Sequence, residues 1–145
     1  WGAINYGSTH SRIGSSEAID ALTNLGAGVL MSTTGAAVVP YRFNPAVNIT
    51  ARDEDVFLYD DTVARYDTAF IGANVPGLGV EDVIAAEAMD GVYYLTILGS
   101  GVIDGHAYNQ KDIFAVDANY NVLGRFWNGP SHGFKYPIDA IAITD

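Results

Sequence analysis

An internal repeat constrains the fold of this chain more than any other feature of its sequence. Residues 55–60 match residues 112–117 at an offset of 57, and the same offset carries Phe70 onto Trp127. Upstream, residues 29–35 match residues 93–99 at an offset of 64. A chain that repeats a block of this size builds one structural unit per copy and packs the copies together to bury a shared core.

The repeat divides the chain into two full copies and two partial ones. The full copies span approximately residues 19–82 and 83–137, and the partial copies span residues 1–18 and 138–145. The offset falls from 64 to 57 because the first copy carries seven extra residues between Gly35 and Asp55, where two prolines indicate an enlarged loop. A length of 145 residues suits a single domain, so we expect residues 1–145 to fold as one unit.

Each copy has the pattern of β-strands joined by tight turns. Residues 92–98 are apolar on both alternating faces, which is typical of a buried central strand. Residues 112–116 and 121–127 flank a turn as a hairpin, and residues 138–144 alternate as a further strand. The composition agrees, because the chain is rich in Tyr, which favours strands, and in Gly, which favours turns.

Residues 16–26 offer a competing interpretation, a short helix. Ser16 would cap its start and Gly26 would end it. The third copy of this block, residues 137–143, has a strand-like pattern, so the repeat favours a strand in all three copies. We therefore predict an all-β fold, in which two tandem four-stranded, propeller-blade-like repeats and split terminal strands pack as a compact sandwich or an incomplete propeller.

These same segments resemble the repeat of a family of uncharacterised secreted bacterial proteins that is regarded as β-propeller-like. The similar motifs are the Ile-Asp-Ala of residues 138–140, the Ser-Thr-x-Gly of residues 32–35, the acidic run that opens residues 53–57, and the aromatic residue before Gly72. The resemblance covers nearly the whole chain and implies a blade-like fold, without implying an activity. The chain departs from the family pattern at Ile84, where the family has Asp.

Charge and composition argue against several classes of function. The chain has 17 acidic and 7 basic residues, and a formal charge of −10 disfavours binding to nucleic acid or to anionic membranes. It contains no cysteine, and no apolar run approaches the roughly 18 residues of a membrane span. No catalytic motif is present, so we expect no enzymatic activity, no nucleic-acid partner and no membrane insertion. Low lysine with high glycine and tyrosine suits an extracellular or cell-surface protein.

Two short motifs are candidates for ion binding or modification. Asp117, Asn119 and Asn121 have the spacing of a calcium loop, but Val122 replaces its glycine, and Asp/Asn-rich hairpin turns have the same pattern. Weakly bound calcium is therefore the one cofactor that the sequence suggests. Asn48 begins an Asn-Ile-Thr pattern inside the enlarged loop, which makes it a candidate for N-linked glycan attachment.

The partial copies at the two ends predict self-assembly. The leading piece resembles the last strand of a repeat and the trailing piece resembles the first, so each leaves an apolar edge without a partner. We expect a strand of one copy to complete the sheet of another, which gives a structural subunit of an extracellular filament. The expected assembly-strand residues are Ala3, Ile4, Asn5, Tyr6, Ile138, Ala140, Ile141 and Ile143. The alternative is a secreted glycan-binding module, either a propeller-like lectin or a fragment of a larger propeller.

Overall fold

The fold is all-β, as the sequence predicts. A computed structural model of the chain describes residues 19–24, 28–44 and 46–143. Within these ranges, twelve strands are joined by turns and by three short 3-10 helices, and there is no α-helix. The 3-10 helices are Gly72–Asn74, Leu78–Val80 and Pro130–His132.

Each repeat forms one four-stranded antiparallel sheet and one separate hairpin. The sheet of the first repeat has the order β1 (Ile19–Asn24), β2 (Gly28–Thr33), β5 (Val56–Asp60) and β6 (Arg65–Phe70). Its hairpin is β3 (Ala37–Pro40) with β4 (Asn48–Ala51). In the second repeat the sheet order is β7 (Val83–Met89), β8 (Val92–Ile97), β11 (Asp112–Asp117) and β12 (Val122–Asn128), and the hairpin is β9 (Ser100–Ile103) with β10 (His106–Asn109).

The two hairpins are an addition to the four strands per repeat that the sequence predicts. Most of the seven extra residues of the first repeat lie at the tip of the first hairpin, where residues 41–47 separate β3 from β4. The second hairpin closes with only Asp104 and Gly105. Both have a positive φ, 48° and 76°, as the commonest two-residue hairpin turn requires.

The competing helix over residues 16–26 is wrong for the part of it that the structure describes. Residues 19–24 form β1, which pairs antiparallel with β2. Burial alternates along this strand, with Ala21 and Thr23 inside and Leu22 and Asn24 outside, as expected for a strand with one covered face. The Thr23 hydroxyl donates a hydrogen bond of 2.8 Å to the Ala86 carbonyl, so β1 is tied directly to the second repeat.

The main hydrophobic core lies between the two repeats. β7 packs against β1 and β2, and the sheets form no closed barrel within the described ranges. Leu30, Val56 and Phe70 of the first repeat share one cluster with Leu95 and Phe114 of the second. The first hairpin covers the other face of its own sheet and forms a second cluster around Phe57. Burial of such large apolar side chains, at about 1.5–3 kcal/mol each, stabilises the contact between the repeats.

The strand predicted over residues 138–144 is not formed in its described part. Residues 138–143 belong to no β-strand and pair with no strand among the described residues. The equivalent strands β1 and β7 each pair with the strand that follows them, whereas the described residues contain no strand after residue 138. A strand requires a hydrogen-bonded neighbour, so apolar alternation alone does not produce one. The other expected assembly residues, Ala3 to Tyr6, lie outside the described residues.

Candidate functional site

Residues 138–143, the trailing segment, dock on the second repeat as β7 docks on the first. The Ile138 N–H donates to the Gln110 carbonyl at 2.8 Å, and the Val83 N–H donates to the Asp53 carbonyl at 2.9 Å. Gln110 and Asp53 are equivalent at the offset of 57, and Ile138 and Val83 both open a copy of the repeat. The chain therefore passes from one copy to the next in the same way at both junctions.

The trailing segment lacks the cover that β7 receives. In β7, Ala85 lies opposite Thr96 of β8 and is fully buried, whereas its equivalent Ala140 is exposed. Ile141 is also partly exposed, although its equivalent Ala86 is buried. The trailing segment is thus an apolar stretch of strand length, anchored at Ile138, with its next neighbour in the sheet missing among the described residues.

An apolar groove opens between the trailing segment and the second sheet. Its volume is about 270 Å³, and its opposite wall is made by Ile113, Phe126, Trp127 and Phe134. The Trp127 ring stacks on His132 at a centroid distance of 3.9 Å and meets Phe134 edge-on at 5.9 Å. The side chains beside the open strand position are therefore mostly aromatic.

The equivalent space at the first junction is filled by tyrosines of the following repeat. Phe70, the counterpart of Trp127, has ring centroids of Tyr93 and Tyr120 at 4.9 and 5.4 Å. The Tyr93 hydroxyl donates a hydrogen bond of 2.7 Å to the Ala69 carbonyl. Burial of this hydroxyl, followed by the nearby Tyr120, raises the pKa of Tyr93 above its usual value. By the repeat, the groove at Trp127 lies where the counterparts of these two tyrosines would pack.

Two equivalent buried carboxylates hold the repeats in shape. Asp55 accepts hydrogen bonds of 2.9 Å from the N–H groups of Arg52 and Gly72. Its counterpart Asp112 accepts bonds from the N–H and side-chain amide of Asn109 at 3.1 and 2.9 Å. These contacts explain Asp55, the last acid of the acidic motif, as a structural residue. The glycine after the aromatic residue has a separate cause, because a Cβ at Gly72 would lie 2.3 Å from the Glu54 carbonyl oxygen.

At the first junction, Asp82 has a raised pKa and lies near two other aspartates, Asp20 and Asp53. Burial, followed by the charges of Asp20 and Asp53, raises the pKa of Asp82 to about 6. One carboxylate oxygen of Asp82 is buried and accepts no hydrogen bond. At the second junction the equivalents of Asp20 and Asp53 are Ile84 and Gln110, so this charge repulsion is absent there. The charge repulsion that raises the pKa of Asp82 therefore acts at the first junction and not at the second.

The candidate calcium residues form the turn between β11 and β12. One oxygen of Asp117 accepts the N–H groups of Asn119 and Asn121 at 2.8 and 2.9 Å, and the other accepts the Asn121 side-chain amide at 2.9 Å. The side-chain bond from Asn121 is the largest cause that lowers the pKa of Asp117. This geometry supports the hairpin-turn interpretation, and calcium binding stays a prediction.

The candidate glycosylation site is accessible. Asn48 is the first residue of β4, directly after the tip of the first hairpin, and both Asn48 and Thr50 are exposed. The pattern therefore lies at the end of the enlarged loop rather than inside it. Its exposure meets the steric requirement for glycan attachment, which remains a prediction.

Within the described ranges, no three His, Cys, Asp or Glu side chains are grouped so that they could hold a metal ion. In the same part of the chain, none of the helices has the length and apolar character needed to cross a bilayer. Comparisons of the sequence with protein-family models, with curated proteins and with solved structures found no match. A functional proposal therefore depends on the geometry of the second junction.

Proposed function

We propose that this protein is a structural subunit of an extracellular or cell-surface assembly, a filament built by intermolecular strand complementation. The observation that carries the proposal is the trailing segment, which is docked through Ile138 and apolar, yet outside every ladder of the described chain. An uncovered apolar segment of strand length favours pairing with a strand from another molecule.

The expected donor is the leading segment of a second copy, residues 3–6. Donor and acceptor then belong to different parts of the chain, so the contact is head-to-tail. A head-to-tail contact continues as a filament unless its rotation closes a ring. The secreted location is supported by the exposed glycosylation pattern at Asn48 and by the composition.

A proline in the trailing segment tests strand addition in the full-length chain. Proline has no N–H to donate to a ladder, and within the described residues the Ile141 N–H bonds to no backbone carbonyl. We therefore expect Ile141→Pro to keep the wild-type melting temperature while losing the assemblies seen by sedimentation and electron microscopy. Ile141→Val, which keeps the N–H and the β-branched shape, serves as the matched control and should assemble normally.

Two results would contradict the proposal. One is a wild-type protein that sediments as a monomer at every concentration up to the solubility limit. The other is an Ile141→Pro protein that forms assemblies of wild-type size at wild-type concentrations. Either would show that the trailing segment does not receive a strand from another molecule.

A secreted glycan-binding module is the second candidate, favoured by the exposed aromatic side chains beside Trp127. Phe126 and Phe134, which line the groove with Trp127, are 53% and 49% exposed. Aromatic faces with one wet side are common in binding sites. Titration with a panel of oligosaccharides, followed by tryptophan fluorescence, distinguishes the two functions: saturable binding by a monomer would favour the module.

A further inference from the structure

We infer that the second repeat docks on the first repeat of another copy of this chain, and that the trailing segment takes the place of that copy's β1 beside its β2. This inference rests on the proposed function, because it concerns the same trailing segment and the same assembly. It names the neighbouring strand from residues that the structure describes. The leading segment, which the sequence favours as the donor, is an alternative outcome of the experiment.

The second sheet repeats, on its outer face, the face of the first sheet that is buried in the main core. On the first sheet, three large apolar residues of this face are at most 2% exposed: Leu30, Val56 and Phe70. Their equivalents on the second sheet are all partly exposed: Tyr94, Ile113 and Trp127. One half of the first junction is therefore present a second time with less cover.

The first repeat carries the other half of the junction in exposed form. Ala86 of β7 is 3% exposed in the main core, whereas its equivalent on β1, Leu22, is 66% exposed. Tyr120 packs on Phe70, whereas its equivalent Val63 is 48% exposed. The two halves lie on different repeats, so a head-to-tail contact between two copies reproduces the first junction.

The side chains at this contact are complementary in size. At the first junction Phe70 meets two large rings, those of Tyr93 and Tyr120. In the contact between copies, the larger Trp127 meets the equivalents of these tyrosines, Val29 and Val63. The larger ring on one side is offset by smaller side chains on the other, which enter the groove of about 270 Å³ beside Trp127.

The sequence of the trailing segment favours β2 as its neighbour. Residues 138–140 are Ile-Asp-Ala, identical with residues 19–21 of β1, whereas β7 begins Val-Ile-Ala. The trailing segment continues as Ile-Ala-Ile where β1 continues as Leu-Thr-Asn. Exchange of the two segments beside β2 therefore covers the more apolar of them, which is the direction that burial of apolar surface favours.

The register of this exchange follows from both existing pairs. β1 pairs with β2 so that Asn24 lies opposite Val29, and β7 pairs with β8 so that Ala88 lies opposite Tyr93. Ile143 is the equivalent of Asn24 and Ala88. We therefore expect Ile143 of one copy to lie opposite Val29 of the next.

A disulfide that holds β1 on β2 tests the exchange in the full-length chain, which has no cysteine of its own. Asn24→Cys with Val29→Cys places two thiols on residues that lie opposite each other. We expect the oxidised protein to lose the assemblies seen by sedimentation, because β1 cannot leave β2, and reduction to restore them. Val102→Cys with Ala107→Cys staples the exposed second hairpin as the matched control and should assemble in both redox states.

Cross-linking between single-cysteine proteins tests the register. When Ile143→Cys and Val29→Cys proteins are mixed and oxidised, we expect a disulfide between positions 143 and 29, identified by mass spectrometry of the linked peptides. Val38→Cys is the control partner. Val38 is 46% exposed on β3 and more accessible than Val29, but it does not lie on β2, so it should form little disulfide with position 143.

The outcomes separate this inference from the proposed function. If the oxidised β1–β2 staple assembles as well as its reduced form while Ile141→Pro does not assemble, the exchange is refuted and strand complementation stands. If Ile143→Cys forms its disulfide with Ile4→Cys and not with Val29→Cys, the leading segment is the neighbour and β2 is refuted. If the wild-type chain forms no assembly at all, both proposals fail.

Discussion

Replacement of Asp82 by asparagine should stabilise the protein at neutral pH. The pKa of Asp82 is raised from 3.8 to about 6, first by burial and then by Asp20 and Asp53. Because this folded-state pKa lies above the unfolded value, the carboxyl group destabilises the fold when it is ionised. The ionised carboxyl group lowers the free energy of unfolding. This loss is absent below pH 4, grows between pH 4 and 6, and is constant above that range.

The magnitude follows from the size of the shift. A difference of about two pKa units corresponds to about 3 kcal/mol, at about 1.36 kcal/mol per unit. Asp82 is only partly buried, so solvent screening reduces the expected gain to about 1–2 kcal/mol at pH 7. Asparagine has nearly the same shape and can donate hydrogen bonds toward the neighbouring carboxylates, so the substitution introduces no cavity.

Urea unfolding at several pH values between 4 and 7.5 measures this effect. The difference in unfolding free energy between Asp82→Asn and wild type should be near zero at pH 4 and reach its full value near pH 7. Asp61→Asn, a change of the same kind at an exposed position, should leave the profile unchanged. A variant that is no more stable than wild type at pH 7, or that gains equally at pH 4, would refute the role given to Asp82.

Two further predictions concern the core and the turn. Phe70→Ala should lower the unfolding free energy by about 3–5 kcal/mol in chemical denaturation, because Phe70 is 1% exposed in the core between the repeats. A loss below about 1 kcal/mol would contradict this packing. Asp117→Ala should lower the melting temperature equally with calcium and with a chelator, because its carboxylate bonds the turn. A loss seen only with calcium would show a real calcium site.

The repeat was sufficient to predict the strands that pair within each sheet. The block at residues 16–26 is ambiguous by itself, and only its likeness to residues 137–143 favours the strand that β1 forms. The hairpins were missed because strands of four residues, such as Ser100–Ile103, contain too few alternations to stand out from loops. Their presence depends on packing against their own sheet, as Tyr108 does against Phe114 at 4.9 Å.

The candidate site shows that a local sequence pattern is not sufficient to predict whether a strand forms. Residues 138–144 alternate like β7, yet whether they form a strand depends on a neighbour that no local pattern can supply. Phe70 and Trp127 hold the same position in the two copies of the repeat. Phe70 is buried by Tyr93, but Trp127 stays partly exposed, because no described residue stands in the place of that tyrosine. The missing tyrosine counterpart was the signal that could have indicated the groove.

A segment that is docked but unpaired gives the proposed filament a polarity. Each subunit offers a donor at one end and an acceptor at the other, so the two tips of a growing filament are chemically different. A subunit with a blocked trailing segment would still join through its leading segment and would then stop further addition. A small fraction of such subunits would terminate growth, and mean filament length would fall roughly as the inverse of that fraction. Length would therefore be set by the proportion of terminating subunits rather than by the strength of the contact.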